Sequence, residues 1–174
     1  VSIAFIYNIF GFTGIYVFTL IIAGIIVLTL FNILLKQKNN IVISFIATVI
    51  STLLMTSSWF FTARGQIISY LGLLLEIYVL ERLINTKKKR YYLELFLISI
   101  LIVNFHASVW NMIIVLILPY LAEAIMYKIF KDKKIKNQKI TFQPISIKVL
   151  IGAMISLLVG SIISPLGIYT YTYM

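Results

Sequence analysis

Cysteine is absent from this chain of 174 residues, and histidine and acidic residues are scarce, with one His and five Asp or Glu. The lack of cysteine excludes disulfides and cysteine-ligated metal sites. So few ionisable side chains leave little from which to build a metal cluster or a Ser-His-Asp triad, and there is no glycine-rich loop of the kind that cradles phosphates. We therefore identify no cofactor. A divalent metal is not excluded, but no pattern supports one.

Charge of either sign is also scarce: charged residues make up 11% of the chain, 61% is hydrophobic, and the mean hydropathy is +1.05. Soluble domains are typically about half apolar and about a quarter charged. The composition predicts an integral membrane protein that crosses the bilayer several times. Because Val1 and Met174 both lie in apolar or tyrosine-rich stretches, we expect residues 1–174 to form a single transmembrane domain that is a fragment of a longer one.

The net charge of +10 raises the possibility of nucleic acid as a partner. The distribution of the charge argues against it, because the Lys and Arg residues other than Arg64 fall at predicted helix ends or loops. Such basic loops stay in the cytoplasm and face anionic headgroups. The expected partners are therefore membrane lipids, no nucleic acid is expected, and the expected location is the plasma membrane with the basic loops cytoplasmic.

Alternation of apolar runs and polar breaks predicts an all-α bundle of about six membrane-spanning helices, preceded by an interfacial segment at residues 1–10. The fourth span is short, because thirteen residues rise roughly 20 Å in an α-helix, against about 30 Å of hydrocarbon. Pro119 is expected to kink the fifth. The predicted spans are residues 13–35, 41–61, 66–84, 91–103, 107–127 and 147–163.

Small or polar residues recur at three- and four-residue spacing in three of these spans, which is typical of faces that pack against other helices. In the third span the stripe includes Glu76, near the predicted midplane. Ionisable residues at that depth are costly, so Glu76 is either a possible intramembrane polar site or a protonated carboxyl bonded to a neighbouring helix. The stripes are Ser44, Thr48, Ser51, Met55 and Trp59; Gly65, Ser69, Gly72 and Glu76; and Gly152, Ser156, Gly160 and Ser164.

The apolar run between the two main basic stretches holds the only histidine, His106. A single crossing would place one basic stretch outside the cell, so we predict that the chain turns at residues 104–108 and comes back. The turns that hold Arg64 and His106 are then both extracytoplasmic. Because the fourth span is short, a recess is expected there. The residues expected to bind substrate at this outer face are Arg64, Gln66, Asn104, His106 and Trp110.

A recess lined by an arginine, a histidine and two amides suits an anionic ligand such as a lipid phosphate, since arginine offers a fixed charge and a bidentate fork. His106 is suited to hydrogen bonding or to acid–base work near neutral pH. Simpler roles stay open beside these. Arg64 can extend towards headgroups, Asn104 and His106 can cap helix ends, and Trp110 can anchor the chain at the membrane interface.

Three short motifs in the same order resemble those of the GT-C glycosyltransferases, a superfamily of multi-pass membrane enzymes that includes the dolichyl-phosphate-mannose–protein mannosyltransferases. Residues 61–66, Phe-Thr-Ala-Arg-Gly-Gln, resemble the family's Ala-Arg-Pro-Gln turn. Residues 103–107, Val-Asn-Phe-His-Ala, resemble its Trp-Ala-Asn-Leu-His-Gly turn. Residues 164–169, Ser-Pro-Leu-Gly-Ile-Tyr, resemble its Asn-Pro-Tyr-Gly span end. Gly65 stands where the family has proline, and Ala107 and Ser108 stand where it has glycines. The family's tryptophan is replaced by valine or isoleucine.

The resemblance implies transfer of a sugar from a polyprenyl-phosphate-linked donor on the extracytoplasmic side. Arg64, Gln66, Asn104 and His106 would hold the donor phosphate or the leaving group. The family's catalytic acid lies in the first outer loop, upstream of Val1, so the catalytic residue is unknown and His106 is the candidate within the chain. Two alternatives remain: a transporter or flippase for a lipid or small anion, with Glu76 as its coupling group, and a non-catalytic membrane scaffold.

Overall fold

The computed structural model describes residues 2–37, 40–57, 66–130 and 145–172, with side chains from residue 4 onwards, and within these ranges it is helical with no β-strand. The predicted all-α class is confirmed. The chain divides into two compact units, Val1–Leu75 and Glu76–Met174, and the boundary falls inside the third helix. The helices are α1 (Ser2–Lys36), α2 (Ile41–Ser57), α3 (Gln66–Thr86), α4 (Arg90–Phe105), α5 (Trp110–Val115), α6 (Leu118–Phe130) and α7 (Ile147–Ile162).

Helix α1 is interrupted at Gly11, where the backbone takes φ 63° and ψ −156°. Glycine adopts this left-handed φ without the steric penalty that a Cβ would bring. The sequence predicted a separate interfacial segment over residues 1–10, but residues 2–10 are helical and run into α1 through this break. The break at Gly11 therefore separates a short helical segment, residues 2–10, from the long helix that follows it.

The first unit packs α1 against α2. On α2 the buried residues are Ser44 and Thr48, which belong to the stripe that the sequence assigned to helix packing, while large apolar side chains such as Phe45 and Leu53 are exposed. The Thr48 hydroxyl donates to the carbonyl of Ser44 at 2.7 Å. Small hydroxyl residues therefore face protein and apolar residues face outwards, the reverse of the arrangement in a water-soluble helix.

In the second unit, α4 and α7 lie side by side and run in the same direction. Gly152 lies against the ring of Tyr92 near the start of both helices, and Gly160 lies against the backbone of Phe96 further along. Between them the buried Ser99 hydroxyl donates to the carbonyl of Leu157 at 2.6 Å. The predicted small-residue face of the sixth span is thus confirmed as the surface that lets two backbones approach closely.

The segment predicted as the fifth span is broken into α5 and α6. Pro119 has no N–H to donate to the carbonyl of Val115, one helical turn earlier. Just before the proline, a hydrogen bond spans three residues instead of four: the amide of Ile117 donates to the carbonyl of Ile114 at 3.1 Å. The kink predicted at Pro119 therefore falls at residues 116–117, and the proline itself lies in the first turn of α6.

The same segment turns back after α4. The hydroxyl of Tyr120 on α6 is close enough to the carboxyls of Glu81 and Glu76 on α3 for their charges to act on it. A straight continuation of α4 would carry Tyr120 about 45 Å from Arg90 at 1.5 Å per residue, far from the end of α3 that leads into α4. The chain therefore reverses at the turn after α4, as the sequence predicted.

Two segments, Ala4–Lys36 and Ala107–Phe130, are long and apolar enough to cross a membrane, and α2 and α7 are shorter apolar helices. Exposed leucines repeat along one face of α4, and exposed isoleucine and valine side chains along one face of α7. Such surfaces suit contact with lipid. These residues are Leu93, Leu97, Leu101, Ile151, Ile155 and Val159.

Candidate functional site

The carboxyl ends of α4 and α7 meet through the side chain of Asn104. Its amide nitrogen donates to the carbonyl of Ile100 in its own helix and to the carbonyl of Ile163, which caps α7, both at 2.8 Å. Carbonyls at a helix end lack a partner within the helix. Asn104 satisfies one of them across 59 residues of sequence. Both amide hydrogens are therefore engaged. The sequence left open a cap on the fourth or fifth span, whereas the cap observed for Asn104 is on α7.

His106 ends α4 in an extended conformation, with φ −156° and ψ 90°. Its amide donates to the carbonyl of Ile102 at 2.9 Å, and its own carbonyl accepts from the amide of Val109 at 3.1 Å. The ring Nε2 lies 3.1 Å from the hydroxyl of Ser108. The imidazole is half-buried beside a hydroxyl, whereas Asn104 is exposed and so does not lie in the recess expected for both residues.

The chain beyond α7 folds back on the helix. Gly167 has φ 53°, a value that favours glycine, and its amide donates to the carbonyl of Ser164 at 2.9 Å. The hydroxyls of Ser164 and Thr170 lie 2.6 Å apart. The hydroxyl of Tyr171 donates to the carbonyl of Leu158 at 2.6 Å. These bonds hold the tyrosine-containing segment against the last turns of α7.

Trp110, the first residue of α5, packs its ring edge-to-face on Tyr171, with ring centroids 5.0 Å apart. Both residues are half-buried, and the membrane-anchor role of Trp110 stays a prediction. Among the described residues, the indole nitrogen of Trp110 and the side-chain oxygen of Asn111 are buried without a hydrogen-bond partner. Buried polar atoms in native proteins are normally paired, so each of these needs a specific explanation.

We call this group of side chains the end cluster: Asn104 in the last turn of α4 and His106, Ser108 and Trp110 beyond it, with Ser164, Thr170 and Tyr171 after α7. It unites three of the five residues that the sequence assigned to substrate binding. Of the other two, Gln66 is half-buried at the start of α3 in the first unit. Arg64 lies outside the described residues, as does Trp59.

Sequence reasoning did not assign Ser108 or Tyr171 to a site. A weak signal existed for Ser108, because it lies two residues after the only histidine in a turn. No signal existed for Tyr171, whose pairing with Trp110 depends on how α7 lies beside α4. The individual partners within the cluster therefore could not be predicted from the sequence.

Glu76 lies apart from the end cluster, on α3, and is fully buried. Among the residues that the structure describes, neither of its carboxyl oxygens has a hydrogen-bond partner. Ser69 and Gly72, which precede it on the same helical stripe, are buried too, as a packing face requires. Whether Glu76 is a polar site or a structural, protonated carboxyl stays a prediction.

In the part of the chain that the structure describes, no group of three or more His, Asp and Glu side chains lies close enough together to hold a metal ion. No protein-family model, no curated protein and no solved structure matches the chain.

Proposed function

We propose that the chain is part of an integral membrane glycosyltransferase of GT-C type, which transfers a sugar from a polyprenyl-phosphate-linked donor on the extracytoplasmic side. The observation that carries this proposal is the hydrogen bond from Asn104 to Ile163. It joins the motif at residues 103–107 to Ile163, the residue directly before the motif at residues 164–169. These are two of the three motifs that resemble this superfamily. The membrane domain has about six spans, with its basic loops in the cytoplasm.

The lipid tail of such a donor fits the surface that leads to the end cluster. Leu93, Leu97 and Leu101 are exposed on α4 at four-residue intervals, and this row ends one turn before the turn that holds His106. In this proposal an isoprenoid chain lies along these leucines, and its phosphate is bound at the end cluster near the imidazole of His106. Apolar surface beside a few convergent polar groups is the usual character of a ligand site.

In this proposal His106 acts as a hydrogen-bond donor or as an acid–base group at the leaving phosphate. Asn104 positions the two helix ends rather than binding the donor through its amide hydrogens. Arg64 and Gln66 add charge and an amide to the phosphate site, a form of electrostatic stabilisation of the leaving group. The proposal assigns no catalytic acid within residues 1–174.

Replacing His106 in the full-length protein tests the assignment. We expect H106A to lower sugar transfer from a polyprenyl-phosphate-linked donor by roughly 100-fold or more, and H106Q, which keeps hydrogen bonding but cannot exchange a proton near neutral pH, to separate the two roles. Ser156 is a suitable control, because its hydroxyl bonds only to Gly152 in its own helix. Turnover by H106A equal to that of S156A, at equal expression, overturns the role of His106.

A transporter or flippase for a lipid or small anion is the second candidate, and the buried carboxyl of Glu76 is the observation that favours it. In that case E76Q abolishes flux in reconstituted vesicles while H106A does not. The scaffold alternative predicts that both substitutions change stability alone. A loss of sugar transfer in H106A with normal stability supports the glycosyltransferase against both rivals.

A further inference from the structure

Glu76 presents a carboxyl that the proposed sugar transfer does not use. It lies midway along α3, has no exposure to solvent, and has no hydrogen-bond partner at either oxygen. Ionisable residues within the membrane are costly unless paired and by default indicate function. A buried polar group without a partner needs a specific explanation.

No cation is available on the same helix to pair with this carboxyl. Arg82 is the only Lys or Arg on α3, and its guanidinium lies 4.7 Å from the ring centroid of Tyr78. It is also engaged with the hydroxyl of Tyr91 at the start of α4. Arg82 therefore points to two aromatic residues and not to Glu76.

Tyr120 on α6 is within range of the charges of Glu76, of Glu81 on α3 and of Glu123 on its own helix. None of these groups carries a positive charge at neutral pH. Glu76 itself has no exposure to solvent. A carboxyl buried in this way, with no hydrogen-bond partner among the described residues, favours its uncharged, protonated form.

We propose that Glu76 is a proton-binding site within the membrane, formed by a fully buried carboxyl on α3 that has no hydrogen-bond partner among the described residues. The bound ligand is a proton, held on the carboxyl at neutral pH. The site is separate from the end cluster, so it holds whether the chain transfers a sugar or moves a solute. Its failure leaves the His106 assignment untouched.

Infrared spectroscopy of the full-length protein in lipid vesicles detects this proton directly. At pH 7 we expect a carbonyl-stretch band of a protonated carboxylic acid that disappears in E76Q. The band should survive in E94Q, which removes a half-exposed carboxyl near the start of α4. In Y120F the band should also remain, because Tyr120 makes no hydrogen bond to the carboxyl.

A carbodiimide-labelling experiment on the wild-type protein avoids any dependence on how well E76Q folds. A hydrophobic carbodiimide reacts with protonated carboxyls, so mass spectrometry should find the label at Glu76 and not at Glu94. An ionised Glu76 at pH 7, seen as a missing acid band or absent label, overturns the proposal. Loss of the band or label on adding sodium at constant pH also overturns it, because the ligand is then a monovalent metal ion.

Discussion

At the scale of single residues, Asn104 shows how one side chain can hold two distant helix ends together. We expect N104A to destabilise the protein by about 1–2 kcal/mol, since it removes a hydrogen bond and leaves a carbonyl of the α7 cap without its donor. Asn32 offers a matched control, because its amide makes only the bond to Leu28 four residues back in its own helix. Unfolding by heat or denaturant in detergent measures both variants.

Each asparagine bonds the carbonyl four residues back in its own helix. The difference between N104A and N32A therefore isolates the bond from Asn104 to Ile163. If the two variants lose the same stability, the link between α4 and α7 contributes nothing measurable. If N104A unfolds more easily than the wild type and H106A does not, Asn104 stabilises the turn and His106 does not.

These residues also show which parts of the site could be predicted from the sequence. Polar side chains inside apolar runs are conspicuous, which is why Glu76, Asn104 and His106 could be singled out beforehand. Their partners were not visible in the sequence, because the Ile163 carbonyl is a backbone group 59 residues away. The edge-to-face contact of Trp110 with Tyr171 depends equally on tertiary packing.

At the scale of helices, the close approach of α4 and α7 rests on Gly160. A Cβ at this position would lie 2.5 Å from the backbone oxygen of Phe96 and 3.0 Å from the Cβ of Ser99. The oxygen belongs to the backbone and cannot move aside, so we expect G160A to force the helices apart and cost about 1–3 kcal/mol. Unfolding in detergent measures this loss.

Gly24 supplies the control for that substitution. It also lies inside a helix, but a Cβ there meets nothing within 4 Å. Alanine favours helix more than glycine does, by up to about 1 kcal/mol, so G24A should leave stability unchanged or slightly raise it. Equal destabilisation by G160A and G24A would show that the close approach of α4 and α7 is not what Gly160 provides.

Helix starts were easier to predict than breaks within helices. α2, α3 and α7 begin at residues 41, 66 and 147, as the polar stretches before them indicated. The break near Pro119 appears two to three residues earlier than the proline, because a proline removes the hydrogen bond to the carbonyl four residues before it. Residues 2–10 are helical before the break at Gly11, where the backbone is not helical, and a second helix begins after it.

At the scale of the whole molecule, charge in the second unit is segregated along the helix axes. Exposed basic residues 87–90 lie at the start of α4, and the exposed Lys148 lies at the start of α7. Because the two helices are parallel, these charges share one end of the unit. The end cluster lies at the other end. Basic residues concentrate on the cytoplasmic side of membrane proteins, so the end cluster is expected outside.

Single-cysteine variants test this orientation in a chain segment that has no cysteine of its own. A membrane-impermeant maleimide added outside intact cells should label Y169C, at an exposed site beyond α7, and should label K88C only after the membrane is opened. L97C, on the lipid-facing row of α4, should react poorly from both sides, because a thiol in hydrocarbon does not form the reactive thiolate. If Y169C and K88C label from the same side, α4 and α7 do not span the bilayer, and the end cluster loses its access to an extracytoplasmic donor.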